Sequence, residues 1–146
     1  MKIKLIKSVK KDLPVIAKVY RTEMSKPPYN ENWSFKKALD KVKSMNESFE
    51  LFTIFYNKNI VGLIALNPKT FGPGTTIFIE EFAIKKEFQN KGVGTTLLKN
   101  SFKEYKKKGR KSFVTIINNY PKIQNFYRKL GFKNSKRYLL IEKKLK

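Results

Sequence analysis

The sequence contains no cysteine and no histidine. The first absence removes thiolate nucleophiles, disulfides and Cys-ligated zinc, and the second removes imidazole bases and every Ser-His or Cys-His triad. Acid–base chemistry is left to carboxylates, tyrosine, lysine, a chain terminus or water, and no metal site is expected. Acidic residues are also scarce: 11 Asp and Glu stand against 33 Lys and Arg, for a formal net charge of +22. A field of that sign draws polyanions: nucleic acid, acidic protein, anionic membrane or phosphorylated small molecules. The lysines are scattered rather than gathered in a tail, which is equally how a plainly solvated surface reads. Long apolar runs are missing; none approaches the roughly 20 residues of a membrane span. The start, "MKIKLIKSVKKDLP", has neither a continuous apolar stretch nor a small-residue cleavage site, so no signal peptide is expected and the protein is placed in the cytoplasm.

What is present suits one domain. The chain has 146 residues, 40% of them hydrophobic, enough to bury a core without disulfide or metal staples. Residues 2–7, "KIKLIK", alternate with period two and predict a strand. Asp12 is placed to cap a helix starting near Leu13–Pro14, with a stripe of Leu13, Ile16, Ala17 and Tyr20. "SKPPYNEN" (25–32) reads as a loop, and Ser34 as the cap of a second helix running to about Met45. "FELFTIFY" (49–56) and "IVGLIAL" (60–66), separated by "NKN", predict an antiparallel hairpin. A second loop (67–75) precedes a strand over 76–84, "TIFIEEFAI". Helical spacing runs from about Val93 to Lys108 and stops at Gly109. "SFVTII" (112–117) predicts a short buried strand, "PKIQNFYRKL" (121–130) a helix ended by Gly131, and "YLLIEKKL" (138–145) a last strand. The order β-α-α-β-β-β-α-β-α-β predicts a single mixed α/β domain over residues 1–146. Its 76–117 segment should be a right-handed crossover between parallel strands.

The turn "EFQNKGVGTTLL" (87–98) sets Gly92 and Gly94 at a helix start. Helix N-termini leave amides without partners and carry partial positive charge, and glycine lets backbone approach an anion closely. Thr95 and Thr96 add hydroxyls, and Gln89 and Lys91 lie within reach of the same anion. The P-loop pattern is absent, and Leu97 stands where a dinucleotide fingerprint needs its third glycine. A simple tight turn into a helix explains the glycines as well.

The run Gln89-Asn90-Lys91-Gly92-Val93-Gly94-Thr95 resembles the Q/R-x-x-G-x-G/A signature of the GCN5-related N-acetyltransferases (GNAT). "IEEFAI" (79–84) looks like that family's strand ending in a bulge beside the thioester, and "FYRKLGF" (126–132) like its carboxyl-terminal helix and following turn. The resemblance implies the acyl-CoA N-acyltransferase fold and a coenzyme-binding core over about 49–146, with acceptor-side elements over about 1–48. It implies acetyl-CoA as co-substrate, held by Phe82, Ala83, Ile84, Gln89, Asn90, Lys91, Gly92, Val93, Gly94 and Thr95. Tyr120 and Ile123 stand where many members carry Asn and Ala, so Asn118 or Asn119 would serve the pantetheine arm from a shifted position.

Transfer to a primary amine needs a base, an oxyanion donor and an acid. Glu80 and Glu81 form the only adjacent acidic pair. Neighbours on a strand face opposite sides, so one of them is expected to face the acceptor. Glu80 is preferred because it resembles the position of a water-mediated glutamate base in the family. Neutralising nearby lysines is the alternative role for both. By the same resemblance Tyr127 is the acid beside the coenzyme sulfur, although it also falls on the apolar stripe Ile123–Phe126–Tyr127–Leu130. A backbone N–H near Ile84 would stabilise the oxyanion. With no cysteine to carry an acyl group, direct attack in a ternary complex is expected. Tyr29 and Trp33 are candidates for binding a small-molecule or peptide amine, with Phe71 beside them. Homodimer formation is left open. Two other readings stand beside this one: a basic module binding nucleic acid, without any recognisable nucleic-acid motif to support it, and a non-catalytic acyl-CoA-binding relative.

Overall fold

The computed structural model describes residues 2–145. The chain forms two compact units, one up to Thr115 and one from Ile116 onward. In the first, β1 (Ile3–Lys7) leads through a 3-10 turn into α1 (Leu13–Met24) and α2 (Phe35–Ser48). Then come β2 (Glu50–Tyr56), β3 (Asn59–Asn67), β4 (Thr76–Ile84), a 3-10 turn (Lys86–Phe88), α3 (Val93–Lys107) and β5 (Ser112–Thr115). The strands make one sheet in the order β1-β2-β3-β4-β5. The first three pairings are antiparallel and β4–β5 is parallel, as the crossover requires.

Local chemistry accounts for these elements. Pro14 sits in the first turn of α1, where its missing N–H costs nothing. The Ser34 hydroxyl accepts from the Lys37 amide at 3.1 Å and so caps α2. The expected stripe Leu13, Ile16, Ala17 and Tyr20 is buried against Ala38, Val42 and Met45 of α2 and against Leu51, Leu63, Ala65 and Ala83 of the sheet. Fully buried side chains such as Ile16 and Leu63 each contribute roughly 1.5–3 kcal/mol. Gly62 permits β3 and β4 to close: a Cβ there would lie 2.2 Å from the Ala83 carbonyl oxygen. No helix among the described residues is long and apolar enough to cross a membrane.

The second unit holds one helix, α4 (Pro121–Lys129), followed by Gly131 at φ +93°. The Tyr127 ring packs edge-on against Phe126 and Phe132, with centroids 5.1 and 5.2 Å away. The strand expected over 138–145 is not formed, and Leu139, Leu140, Ile141 and Leu145 are exposed. The period-two pattern is real, but a strand needs a neighbour to satisfy its N–H and C=O groups, and among the described residues this unit contains no other strand.

Candidate active site

The site is built around the far half of β4. Its pairing with β5 runs from Thr76↔Ser112 to Ile79↔Thr115 and stops, while β4 continues to Ile84. From Glu80 to Ile84 the strand therefore has β3 on one side and, among the described residues, no strand on the other. The Lys85 amide donates to the Val61 carbonyl at 2.8 Å, which fixes the phase of the ladder. Alternate residues of an antiparallel strand turn their backbone groups toward or away from the partner. Ile84 is one of those turned away from β3, so its N–H faces the open edge. Its carbonyl, on the same side, accepts from Gln89 Nε2 at 2.7 Å.

A β-bulge sits in the same stretch. Ala65 pairs with Glu81 but its neighbour Leu66 pairs with Ile79, so Glu80 is the extra residue on β4. The bulge breaks the alternation that would send the two carboxylates to opposite faces. Asn67 shares the parity of Leu63 and Ala65, which pack toward α1 and α2, and its Nδ2 donates to Glu80 Oε2 at 2.8 Å. Glu81 Oε1 accepts from the Tyr20 hydroxyl of α1 at 3.0 Å and lies 3.7 Å from Lys41 Nζ of α2. Both carboxylates thus occupy one face, and the expectation that only one of them does so fails for this geometric reason.

The electrostatics of the two differ. The Glu81 side chain is 22% exposed. Burial raises its pKa above the ordinary carboxylate range, against the opposing pull of the Tyr20 hydroxyl and Lys41. Tyr20 is itself held far above the usual phenol range, by burial first and by Glu81 next, so it remains a proton donor to that carboxylate. Burial, followed by Glu81, Glu31 and Glu23, also raises the Tyr29 pKa. Trp33 stacks edge-on against Tyr20 with centroids 5.1 Å apart, and its Nε1 donates to Glu31 Oε1 at 2.8 Å. A protein of net charge +22 therefore gathers carboxylates and aromatic rings at one place. Such a site can attract an ammonium group, bury its carbon skeleton and accept its proton.

The glycine turn lies just beyond β4. Asn90 and Gly92 have φ of +60° and +80°, and a side chain at Gly92 would meet no atom within 4 Å. The first bond of α3 runs from the Thr96 amide to the Gly92 carbonyl at 3.0 Å. The amides of Val93, Gly94 and Thr95 consequently have no acceptor within the helix, and no side chain caps it. That arrangement fits a diphosphate. Lys91 is exposed, with Nζ 5.7 Å from the Phe88 ring centroid. Ala83 and Ile84 are buried and Phe82 is half-buried.

Of the sequence candidates, Glu80, Glu81, Tyr29 and Trp33 lie in the first unit on the side of α1, α2 and the loop between them. Phe71 packs instead on Phe78, at 5.0 Å between centroids. Tyr127, Asn118 and Asn119 belong to the second unit, where Asn119 Oδ1 accepts from Gln124 Nε2 and the Asn118 carbonyl accepts from the Tyr120 amide. Tyr20, Lys41, Asn67 and Glu23 join the site without having stood out in the sequence. Tyr20 carried one signal: a tyrosine on a buried stripe needs a partner for its hydroxyl.

A model of the acetyltransferase (GNAT) family matches residues 16–132. No curated protein matches the chain by sequence. Among solved structures, a possible acetyltransferase from Clostridium difficile 630 has a TM-score of 0.80 at 15% identity, with 99% of each chain covered. An aminoglycoside N-acetyltransferase in complex with CoA has a TM-score of 0.71 at 14% identity, over 99% of this chain and 96% of that one. A predicted acetyltransferase from Clostridium acetobutylicum, solved with acetyl-CoA, has a TM-score of 0.67 at 17% identity, over 97% and 96%. Identities this low speak for the fold alone. The family model, however, spans most of the chain, from α1 to the turn after α4, and the chain belongs to the GNAT family of acetyltransferases.

Proposed function

We propose that the protein transfers the acetyl group of acetyl-CoA to a primary amine by direct attack in a ternary complex. The observation that carries this reading is the β4 bulge, which sets two carboxylates on one face beside an unpaired strand edge. Acetyl-CoA supplies an activated acyl group. The open amides of Val93, Gly94 and Thr95, with Lys91, would hold its diphosphate. The Ile84 N–H, turned to the open edge of β4, would stabilise the charge that develops on the thioester oxygen. We place the base at Glu81 rather than at Glu80, which the resemblance favours. Glu81 is bonded to the Tyr20 hydroxyl, whose ring packs on Trp33, and burial raises its pKa toward the range where a carboxylate takes a proton from an ammonium group efficiently. Glu80, held by Asn67, supports it by drawing the cation. Tyr127 is assigned as the acid on family resemblance.

The acceptor is a small-molecule or peptide amine, entering past Tyr29 and Trp33. The surrounding carboxylates favour a cationic one, and the fold neighbour named for aminoglycosides supports a small molecule. Two measurements test the proposal. Calorimetry should show acetyl-CoA binding, and thiol release across an amine panel should show turnover that requires the amine. Thiol release at one rate with and without every amine would refute it.

A further inference from the structure

Gln89 opens the glycine signature, and the sequence places it among the groups that touch the anion. Its contacts in the folded chain point elsewhere. We propose that Gln89 is a positioning residue, a clamp that ties the coenzyme turn to the end of β4 and to the last turn of α1. Its Nε2 donates to the Ile84 carbonyl at 2.7 Å and to Glu23 Oε1 at 3.0 Å. Both partners are pure acceptors, so the nitrogen must point at them and both of its hydrogens are committed. Only the side-chain oxygen remains, and an oxygen repels phosphate.

Glu23 makes the clamp more than local. Its side chain is 10% exposed, and its other oxygen takes the Lys26 ammonium at 3.1 Å. The Lys26 carbonyl in turn accepts the Tyr29 and Asn30 amides, at 3.0 and 2.9 Å. One run of bonds therefore joins the coenzyme turn, through Gln89, Glu23 and Lys26, to the loop that presents Tyr29 and Glu31. A buried carboxylate close to a diphosphate site would by itself weaken anion binding. Its retention is explained if its bond to Gln89 holds the turn in shape.

This inference rests on reading the turn as the acetyl-CoA site, and the experiment separates the two. Acetyl-CoA affinity is measured by calorimetry for the wild type, Glu23→Ala, Gln89→Glu and the swapped pair Glu23→Gln/Gln89→Glu. Glu23→Ala should weaken binding roughly 3- to 10-fold although it removes a negative charge, the scale of one ordinary intramolecular hydrogen bond. Gln89→Glu should weaken it more, and the swapped pair should recover part of that loss, because it restores the bond between residues 23 and 89 with donor and acceptor exchanged while the Ile84 carbonyl stays without its donor. If Gln89 instead contacts the phosphates, Glu23→Ala leaves affinity unchanged or tightens it and the swap rescues nothing; either result overturns the clamp. Amide exchange in the coenzyme-free protein gives an independent reading. Phe88, Gln89 and Thr96, whose amides are bonded within the turn, should exchange faster in Glu23→Ala, and unchanged rates would also overturn it. Failure of the wild type to bind acetyl-CoA would strike the functional proposal alone, leaving exchange to decide the clamp. The swapped pair preserves shape and volume, so the test survives if Glu23→Ala does not fold.

Discussion

Replacing Glu81 by Gln removes a charge while keeping the shape, and the structure supplies both sides of the expected result. On stability, three effects nearly cancel. The ion pair with Lys41 is long, at 3.7 Å, and the lysine is 40% exposed, so its loss costs about 0–1 kcal/mol. The Tyr20 hydroxyl bond changes from a charged to a neutral acceptor, a loss of about 1 kcal/mol. Against this, the substitution relieves the burial of a charge that already raises the Glu81 pKa. The sign follows from linkage. A carboxyl whose folded pKa is raised stabilises the fold through its protonated form. That contribution is fully present below the unfolded value of about 4.3 and is lost as pH climbs through the folded value. A neutral Gln keeps the benefit of the uncharged form at every pH, so its standing against wild type should improve as pH rises through the folded value and offset the lost bonds to within about 1 kcal/mol. On activity, loss of the base should lower kcat by roughly 10²–10⁴, while acetyl-CoA affinity is retained. Urea denaturation at pH 5 and pH 7 and thiol release with the best amine of the panel read the two quantities. Turnover within about threefold of wild type would refute the base assignment. A loss of activity matched by a loss of several kcal/mol would show that Glu81 is a structural ion-pair partner instead.

Tyr127→Phe should lower kcat about 100-fold, the smaller end of general-acid effects, with acetyl-CoA affinity unchanged by calorimetry; equal loss of both would assign the hydroxyl to binding. Gly62→Ala should unfold the protein or lower its thermal midpoint steeply, because the new methyl would press into the Ala83 carbonyl oxygen at the β3–β4 seam; a near-native midpoint by circular dichroism would contradict that packing. Gly92→Ala meets no neighbouring atom, so its cost should be the backbone penalty alone, about 1–2 kcal/mol for a left-handed φ, together with weaker acetyl-CoA binding as the turn relaxes. Urea denaturation and calorimetry read the two effects. Ser34→Ala should cost about 0.5–2 kcal/mol in urea denaturation through the lost cap of α2, with kcat unaffected.

Much of the architecture was legible in the chain because it depends on local chemistry. Pro14, Ser34, Gly109 and Gly131 mark helix ends by what their own backbones can do. The stripe on α1 and the hairpin of β2 and β3 follow from periods that any amphipathic element must show. The strand over 138–145 shows where that legibility ends. Its pattern is that of a strand, but pairing is a property of two segments, and no other strand lies among the described residues of its unit.

The glycine turn was legible in the sequence by itself, since glycine spacing at a helix start is a statement about backbone freedom and unpaired amides. The absence of cysteine and histidine likewise restricted acid–base chemistry to carboxylate, tyrosine, lysine, a chain terminus or water before any fold was known. Tertiary structure alone decided which groups meet. One extra residue in β4 turned Glu80 and Glu81 to the same face, which alternation along an isolated strand forbids. Side chains 61 and 66 positions apart in the chain, Tyr20 with Glu81 and Glu23 with Gln89, were brought within 3.0 Å. Local pattern governs each element's own geometry, whereas a carboxylate's acidity and a glutamine's role depend on neighbours that only folding supplies.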